Sequence, residues 1–337
     1  MKRRTFLGLS TTAMAGAFCA GTSVIQMSFA ENRTATGAKM LNPNTQWMLD
    51  AKWGLFSHFL PQLPREQASG NMTEKMWNKK VNSFQVSKLA DQLEKLEAPY
   101  FFITIGNGDN YFCSPNGTFE KQFGAGKGAL TERDLIAELA KELIPRGIKL
   151  CASLPALGGA GTAETQRMYQ QVIAEWSKRW GKSISAWWID DGQLASRDVY
   201  MAYSNAFKAG NRDALIAYNT GPLVLTYRLK EPTTDLEDFF AGQVDWYLPT
   251  CAVRAFDKKE FWVGPNYLGD QLHFLTFLGS YWGTGDPRFP DDLVMGWTQH
   301  TNNYSGTVTW DVPLDDSGLI PKKHFNQLAA LRKYIVA

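Results

Sequence analysis

Short apolar runs bounded by turn residues alternate along this chain with longer runs of helical period. Trp53–Phe59, Tyr100–Ile105, Lys149–Leu154, Ala186–Ile189 and Ala214–Tyr218 are short, largely apolar runs. A strand read this way is buried on both faces. Between these runs lie helical stripes. Val86, Leu89, Ala90, Leu93 and Leu96 share one face, and Leu135, Ile136, Leu139, Leu143 and Ile144 share another. Thr131, with Asp134 three residues on, predicts the start of that second helix, and Gly147 predicts its end. Helices are predicted over Ala163–Trp180, Arg197–Ala209, Asp292–Asn302 and Lys322–Tyr334. Asp245–Leu248 and Phe261–Val263 are the best sixth and seventh strands, and Thr307–Val312 is the eighth.

Doubly buried strands separated by helices predict a parallel sheet with helices outside it. Eight such units fit a (β/α)8 TIM barrel as a single α/β domain over residues 47–337. An open doubly wound sheet is the alternative. No G-x-G-x-x-G follows the first strand, which argues against a dinucleotide fold.

The first residues read differently. Arg3 and Arg4 directly precede a weakly apolar stretch rich in Gly, Ala, Ser and Thr. That order is the pattern of a twin-arginine signal peptide over residues 1–30, with a small-x-small cleavage site at Ser28-Phe29-Ala30. The run is too short and too polar to span a bilayer permanently, so no stable membrane span is expected in the mature chain. A periplasmic or secreted protein is expected, with residues 31–46 as a loose linker.

Composition narrows the function. With 44% hydrophobic residues over 337 positions, the chain can bury a large core and is neither disordered nor a small disulfide scaffold. A net charge of +2 gives no basic field for phosphates, so nucleic acid is not an expected partner. The chain has 12 Trp, enough to supply flat faces for sugar rings as well as core. The four His include no H-x-x-x-H pair, and neither a metal nor a cofactor is expected. Beyond the signal segment lie Cys113, Cys151 and Cys251, an odd number that allows at most one disulfide, and two of them fall in apolar strand-like runs and read as core.

In a barrel the chemistry gathers at the C-terminal ends of the strands. Those ends carry Ser57 and His58, Asn107, Asp109 and Asn110, Ser153, Asp190 and Asp191, Asn219 and Thr220, Thr250, Asn266 and Tyr267, and Asp311. The sharpest segment is Trp187-Trp188-Ile189-Asp190-Asp191-Gly192. A carboxylate ending a buried strand is desolvated on one side and open on the other, which suits a nucleophile or a general acid. Two adjacent Asp cannot both face the mouth. Asp190 is assigned inward and Asp191 to the following turn.

The segments Trp53–Phe59 (W-G-L-F-S-H-F), Trp188–Gly192 (W-x-D-x-G) and Gly306–Pro321 resemble glycoside hydrolase family 29, the α-L-fucosidases. The resemblance implies a retaining glycosidase with Asp190 as nucleophile and His58 as a sugar-binding residue. It departs at the second strand. There the family reads K-H-H-D-G-F, and this chain reads Gly106-Asn107-Gly108-Asp109-Asn110-Tyr111-Phe112, without the two His. The acid/base varies in position within the family. Among Glu237, Asp238, Asp245, Glu260 and Asp270, Glu237 is favoured because it lies in an acid-aromatic run after the fifth strand. Carbohydrate binding is expected from His58, Asn107, Asp109, Asn219 and His273 through hydrogen bonds, and from Trp188 and Trp282 through ring faces. Trp53, Trp246 and Trp310 are further candidates for stacking. The competing reading is a carbohydrate-binding barrel without catalysis.

Overall fold

The computed structural model describes residues 41–61, 72–107, 110–124, 129–157, 161–222, 233–248 and 270–336. The expected signal segment therefore lies outside the described residues, as do Asp109 and the strand expected at Phe261–Val263. Eight parallel strands form one curled sheet: β1 (Trp53–Ser57), β2 (Tyr100–Thr104), β3 (Lys149–Pro155), β4 (Ile184–Asp190), β5 (Leu215–Tyr218), β6 (Gln243–Val244), β7 (His273–Phe277) and β8 (Thr307–Asp311). Their order is β5-β4-β3-β2-β1-β8-β7-β6, consistent with a TIM-like arrangement. Five helices account for most of the connections, α1 (Val86–Lys95), α2 (Leu135–Leu143), α3 (Ala163–Trp180), α4 (Arg197–Phe207) and α5 (Asp291–Asn303), and α6 (Lys322–Val336) follows β8. Among the described residues, no helix is long and apolar enough to cross a membrane.

Alternation along the strands sorts the core into two parts. Leu55, Phe101, Ile103, Leu150, Ala152, Trp187, Ile189 and Ile216 pack outward with the helices. Phe56, Tyr100, Phe102, Cys151, Ala186, Trp188, Leu215, Ala217 and Leu275 pack together on the inner face. Neighbouring side chains on a strand point to opposite faces, so a continuous apolar run fills both cores at once. Gly54 is required by this packing. A Cβ there would stand 2.2 Å from the Tyr100 ring.

The two edges of the sheet meet through residues 237–242. Asp238 N donates to Ile216 O on β5 at 2.7 Å. Phe240 N donates to Gln271 O at 2.9 Å, and Leu275 N of β7 donates to Gly242 O at 2.9 Å. Two carboxylates complete the seam. Asp238 Oδ2 accepts Ile216 N at 3.0 Å, and Glu237 Oε2 accepts Tyr218 N at 3.1 Å.

Several sequence expectations shift. Asp245–Leu248 is not the sixth strand; the pairing falls two residues earlier, at Gln243–Val244, opposite Leu275–Thr276. The seventh strand among the described residues is His273–Phe277. Helix α2 is capped by Asp134, whose side chain accepts Ala137 N, and Thr131 instead donates to Arg133 O. The chain is also packed before residue 46, since Asn42 Nδ2 donates to Asp238 Oδ1 at 2.7 Å.

A polar line crosses the inner core. His273 Nδ1 donates to Phe240 O at 3.0 Å, which leaves Nε2 as the acceptor from Thr309 Oγ1 at 2.6 Å. Tyr100 donates in turn to Thr309 at 2.6 Å. Burial lowers the His273 pKa from 6.5 to about 4. The unfolded chain therefore takes up this proton first, and the contribution to stability is full above pH 6.5 and lost as pH falls towards 4. The loss amounts to about 3 kcal/mol. Urea unfolding of the wild type and His273→Gln between pH 7.5 and 4.5 measures it. The stability difference between the two is expected to shrink towards acid, and a difference that stays constant with pH refutes the assignment.

Candidate active site

The inner-face alternation continues past the strand ends and determines what reaches the mouth. Trp188 is inward, so Asp190, two residues on, is inward too. The same parity carries Ala217 to Asn219 on β5, Phe56 to His58 on β1, and Thr309 to Asp311 on β8. Ile189 pairs with Tyr218, so Asp190 falls opposite Asn219 by register.

Asp190 is half-buried and accepts Asn219 Nδ2 at 2.9 Å. The same amide donates to Gln243 Oε1 at 2.6 Å, and Gln243 Nε2 donates to Asp245 Oδ1 at 2.9 Å. A continuous hydrogen-bonded line thus links two rim carboxylates, Asp190 and Asp245, through two side-chain amides. An amide donates in fixed directions, so it orients a carboxylate without neutralising it. Asp191 adopts φ 47° and is exposed. That left-handed residue turns the chain sharply after β4. Gly192 N then donates to Asn219 O at 2.7 Å, which holds the Asn219 backbone beside Asp190.

Across the mouth stands a second pair. His58 Nδ1 lies 2.8 Å from Asp311 Oδ1, and Asp311 is fully buried. The carboxylate accepts, so Nδ1 carries the proton and Nε2 remains for another partner. The second Asp311 oxygen accepts Gly283 N at 2.6 Å. One aspartate thereby fixes both His58 and the turn carrying Trp282. The half-buried Trp282 ring lies 5.4 Å from His58 and 4.9 Å from Phe277. Phe56 and Trp188, 5.8 Å apart, form the apolar floor between the two pairs. Trp188 Nε1 donates to Ala241 O at 3.1 Å, so the Trp188 ring is anchored in place.

Two of the sequence candidates sit elsewhere. Glu237 is 1% exposed, and its carboxylate accepts the backbone amides of Tyr218, Thr233 and Thr234. It holds the seam rather than opening onto the mouth. His273 is the first residue of β7, at the opposite end of the sheet from Asp190, and belongs to the inner polar line. Asn107 follows β2 at the rim, half-buried, with its carbonyl accepting Asn110 N at 3.1 Å. Trp53 and Trp310 are buried core residues. The sequence passed over Gln243 and offered Asp311 only as one of several polar strand ends. The alternation Phe239, Ala241, Gln243, Asp245 marks Gln243 as inward once the strand is placed correctly.

A cavity of about 280 Å³ opens on the His58 side, lined by His58, Phe59, Lys80, Asp286, Pro313 and His324 among others, and Asp190 does not line it. His324 is buried there with neither ring nitrogen hydrogen-bonded, and burial lowers its pKa.

No family model matches the chain, and no curated protein matches it. Solved structures share its fold. An endo-fucoidan hydrolase of glycoside hydrolase family 107 superposes with a TM-score of 0.65 at 15% identity, over 87% of this chain and 53% of that one. A second endo-fucoidan hydrolase of the same family gives 0.66 at 15% identity, over 87% and 65%. The α-L-fucosidase isoenzyme 1 of Paenibacillus thiaminolyticus gives 0.60 at 18% identity, over 88% and 76%. The chain spans between about half and two thirds of the length of the two fucoidan hydrolases. At these identities the likeness is one of fold, a fold these glycoside hydrolases share.

The turn after β4 gives a direct test. A Cβ on Gly192 would stand 2.9 Å from Asn219 O and 3.0 Å from Tyr218 Cβ. Gly192→Ala is expected to cost about 1–3 kcal/mol by overpacking. Thermal unfolding measures this cost, and an unchanged midpoint rejects the close approach.

Proposed function

We propose that the chain is an exported glycoside hydrolase resembling the α-L-fucosidases, which cleaves a glycosidic bond with retention and uses Asp190 as its nucleophile. The observation that carries this reading is the placement of Asp190. It is a half-buried carboxylate at the C-terminal end of a buried parallel strand, aimed by Asn219 into an aromatic-floored mouth. A (β/α)8 barrel puts its chemistry at that end. The fold shared with fucoidan hydrolases and an α-L-fucosidase supports sugar chemistry there.

In the reaction, an Asp190 oxygen attacks the anomeric carbon as the bond to the leaving oxygen breaks. A second carboxyl group donates its proton to that oxygen. Water then attacks the glycosyl ester, giving a proton back to the second carboxylate and releasing Asp190. Asp245 is the better second carboxyl. It lies at the rim and is joined to Asp190 through Gln243 and Asn219, whereas Glu237 accepts backbone amides in the seam. His58, fixed by Asp311, is placed to hydrogen-bond sugar hydroxyls through Nε2, and Trp282 supplies an apolar face beside it.

Asp190→Asn tests this on a panel of glycosyl fluorides that includes α-L-fucosyl fluoride. Loss of about 10⁴-fold or more in kcat is expected, with proton NMR of the wild-type reaction showing the product first formed in the substrate's anomeric configuration. Asp245→Asn is expected to lower kcat/KM by about 10²–10⁴-fold on a substrate with a poor leaving group. Activity surviving in Asp190→Asn rejects the nucleophile. A wild type that binds glycans but cleaves none supports the non-catalytic reading.

Export is proposed from Arg3 and Arg4. Replacing both with Lys is expected to trap the precursor inside the cell, read by immunoblot of cell fractions. Normal export of that variant refutes the twin-arginine assignment.

A further inference from the structure

Trp246 is unaccounted for by the reaction described above. It lies two residues beyond β6, at the same rim as Asp190, and is 67% exposed. An indole left this open loses the apolar burial that usually fixes it. Trp246 is nevertheless held by its surroundings. The Tyr281 ring lies nearly parallel to it, at 5.8 Å and 28°, and Phe277 meets it edge-on at 5.5 Å and 85°.

Arg288 fixes the backbone beneath. Its Nη1 donates to Asp245 O at 2.6 Å, its Nε to Phe277 O at 2.9 Å and its Nη2 to Thr276 Oγ1 at 2.9 Å. The guanidinium lies 3.7 Å from the Phe277 ring centre and 4.3 Å from that of Phe289. Burial lowers the Arg288 pKa to about 10, so it remains a cation at neutral pH. One half-buried arginine thus clamps β7 to the residue immediately before Trp246. That residue, Asp245, is also the far end of the amide line from Asp190. The exposed ring therefore sits one residue from the side chains that reach the nucleophile, with its orientation set in advance.

We propose that Trp246, backed by Tyr281, is a stacking platform for a second pyranose ring, neighbouring the sugar attacked by Asp190. The substrate is then an oligosaccharide or glycan chain rather than a lone monosaccharide glycoside. A pyranose presents an apolar C–H face that an exposed indole covers, while its hydroxyls stay in water at the edge. A platform already rigid before binding loses little further entropy when the sugar arrives. This proposal rests on the hydrolase reading for the position of the attacked sugar.

The test compares the full-length wild type with Trp246→Ala and Trp246→Phe on two substrates. α-L-Fucosyl fluoride has a leaving group too small to reach the platform, and an α-linked fucose trisaccharide occupies it. Trp246→Ala is expected to lower kcat/KM on the trisaccharide by about 10- to 100-fold and to leave fluoride hydrolysis within about twofold. Trp246→Phe is expected to retain most of the trisaccharide activity. Calorimetric binding of the trisaccharide to Asp190→Asn, with and without Trp246→Ala, separates this proposal from the hydrolase reading. Binding weakened by Trp246→Ala supports the platform even if no glycoside is cleaved. Equal loss on both substrates, an undiminished trisaccharide activity, or a trisaccharide that neither binds nor reacts overturns it.

Discussion

The seam between β5 and β7 is the constraint on which the mouth depends. The strand closing it, β6, is only two residues long, and most of the joining falls to the residues before it. Where a longer strand would supply ladder hydrogen bonds, two carboxylates do so. Asp238 accepts Ile216 N, and Glu237 accepts Tyr218 N. A carboxylate accepting backbone N–H groups makes a charge-assisted bond, stronger than the neutral ladder bond it replaces. Asp238 is also met by Lys208 Nζ at 2.7 Å and by Asn42, so its charge is compensated where it is buried. Without that join, Gln243 would not lie beside Asn219, and Asp245 would have no connection to Asp190.

The same economy governs the opposite side of the mouth. One fully buried carboxylate, Asp311, accepts from His58 and from the backbone of Gly283. Both of its oxygens are therefore used, one by the segment after β1 and one by the turn carrying Trp282. The His58 tautomer and the Trp282 position follow from one group. A buried charge that orients two surface elements is costly to introduce and costly to remove. Asp311 has no reason to be buried as a mere filler of the inner face, since Thr309 below it already satisfies the polar line from Tyr100 to His273.

Much of the architecture was legible in the apolar runs. The first five strands and the eighth lie where continuous hydrophobic stretches put them, because burial on both faces writes itself into consecutive residues. The seventh was not legible. His273-Phe274-Leu275-Thr276-Phe277 carries His and Thr, and each has a specific internal partner: Phe240 O and Thr309 for His273, Arg288 for Thr276. A polar residue satisfied inside a core has the same letter as one lining a pocket, so His273 read as sugar-binding. The sixth strand was misplaced for a different reason. Two paired residues leave almost no periodic signal, and the aromatic run after them was the stronger pattern. Asp190 was legible because W-x-D at the end of a buried strand leaves few alternatives. Its partner Asn219 appeared only as one of several polar strand ends, and the bond between them needed the register.

Carboxylates show most clearly where sequence reasoning stops. Glu237, Asp238, Asp245 and Asp190 all follow or end strands, and composition cannot rank them. Their partners do. Glu237 and Asp238 accept backbone amides, which are fixed donors that cannot leave, so these groups are committed to holding the chain. Asp190 and Asp245 accept side-chain amides instead, from Asn219 and Gln243, and keep an orientation without being enclosed by backbone. A group that must exchange a proton or form a transient bond needs that second kind of neighbourhood: a partner that aims it and leaves its open side free. By this criterion the acid-aromatic run after β5 holds the chain, and Asp245, eight residues beyond Glu237, has the neighbourhood that the proposed acid/base needs.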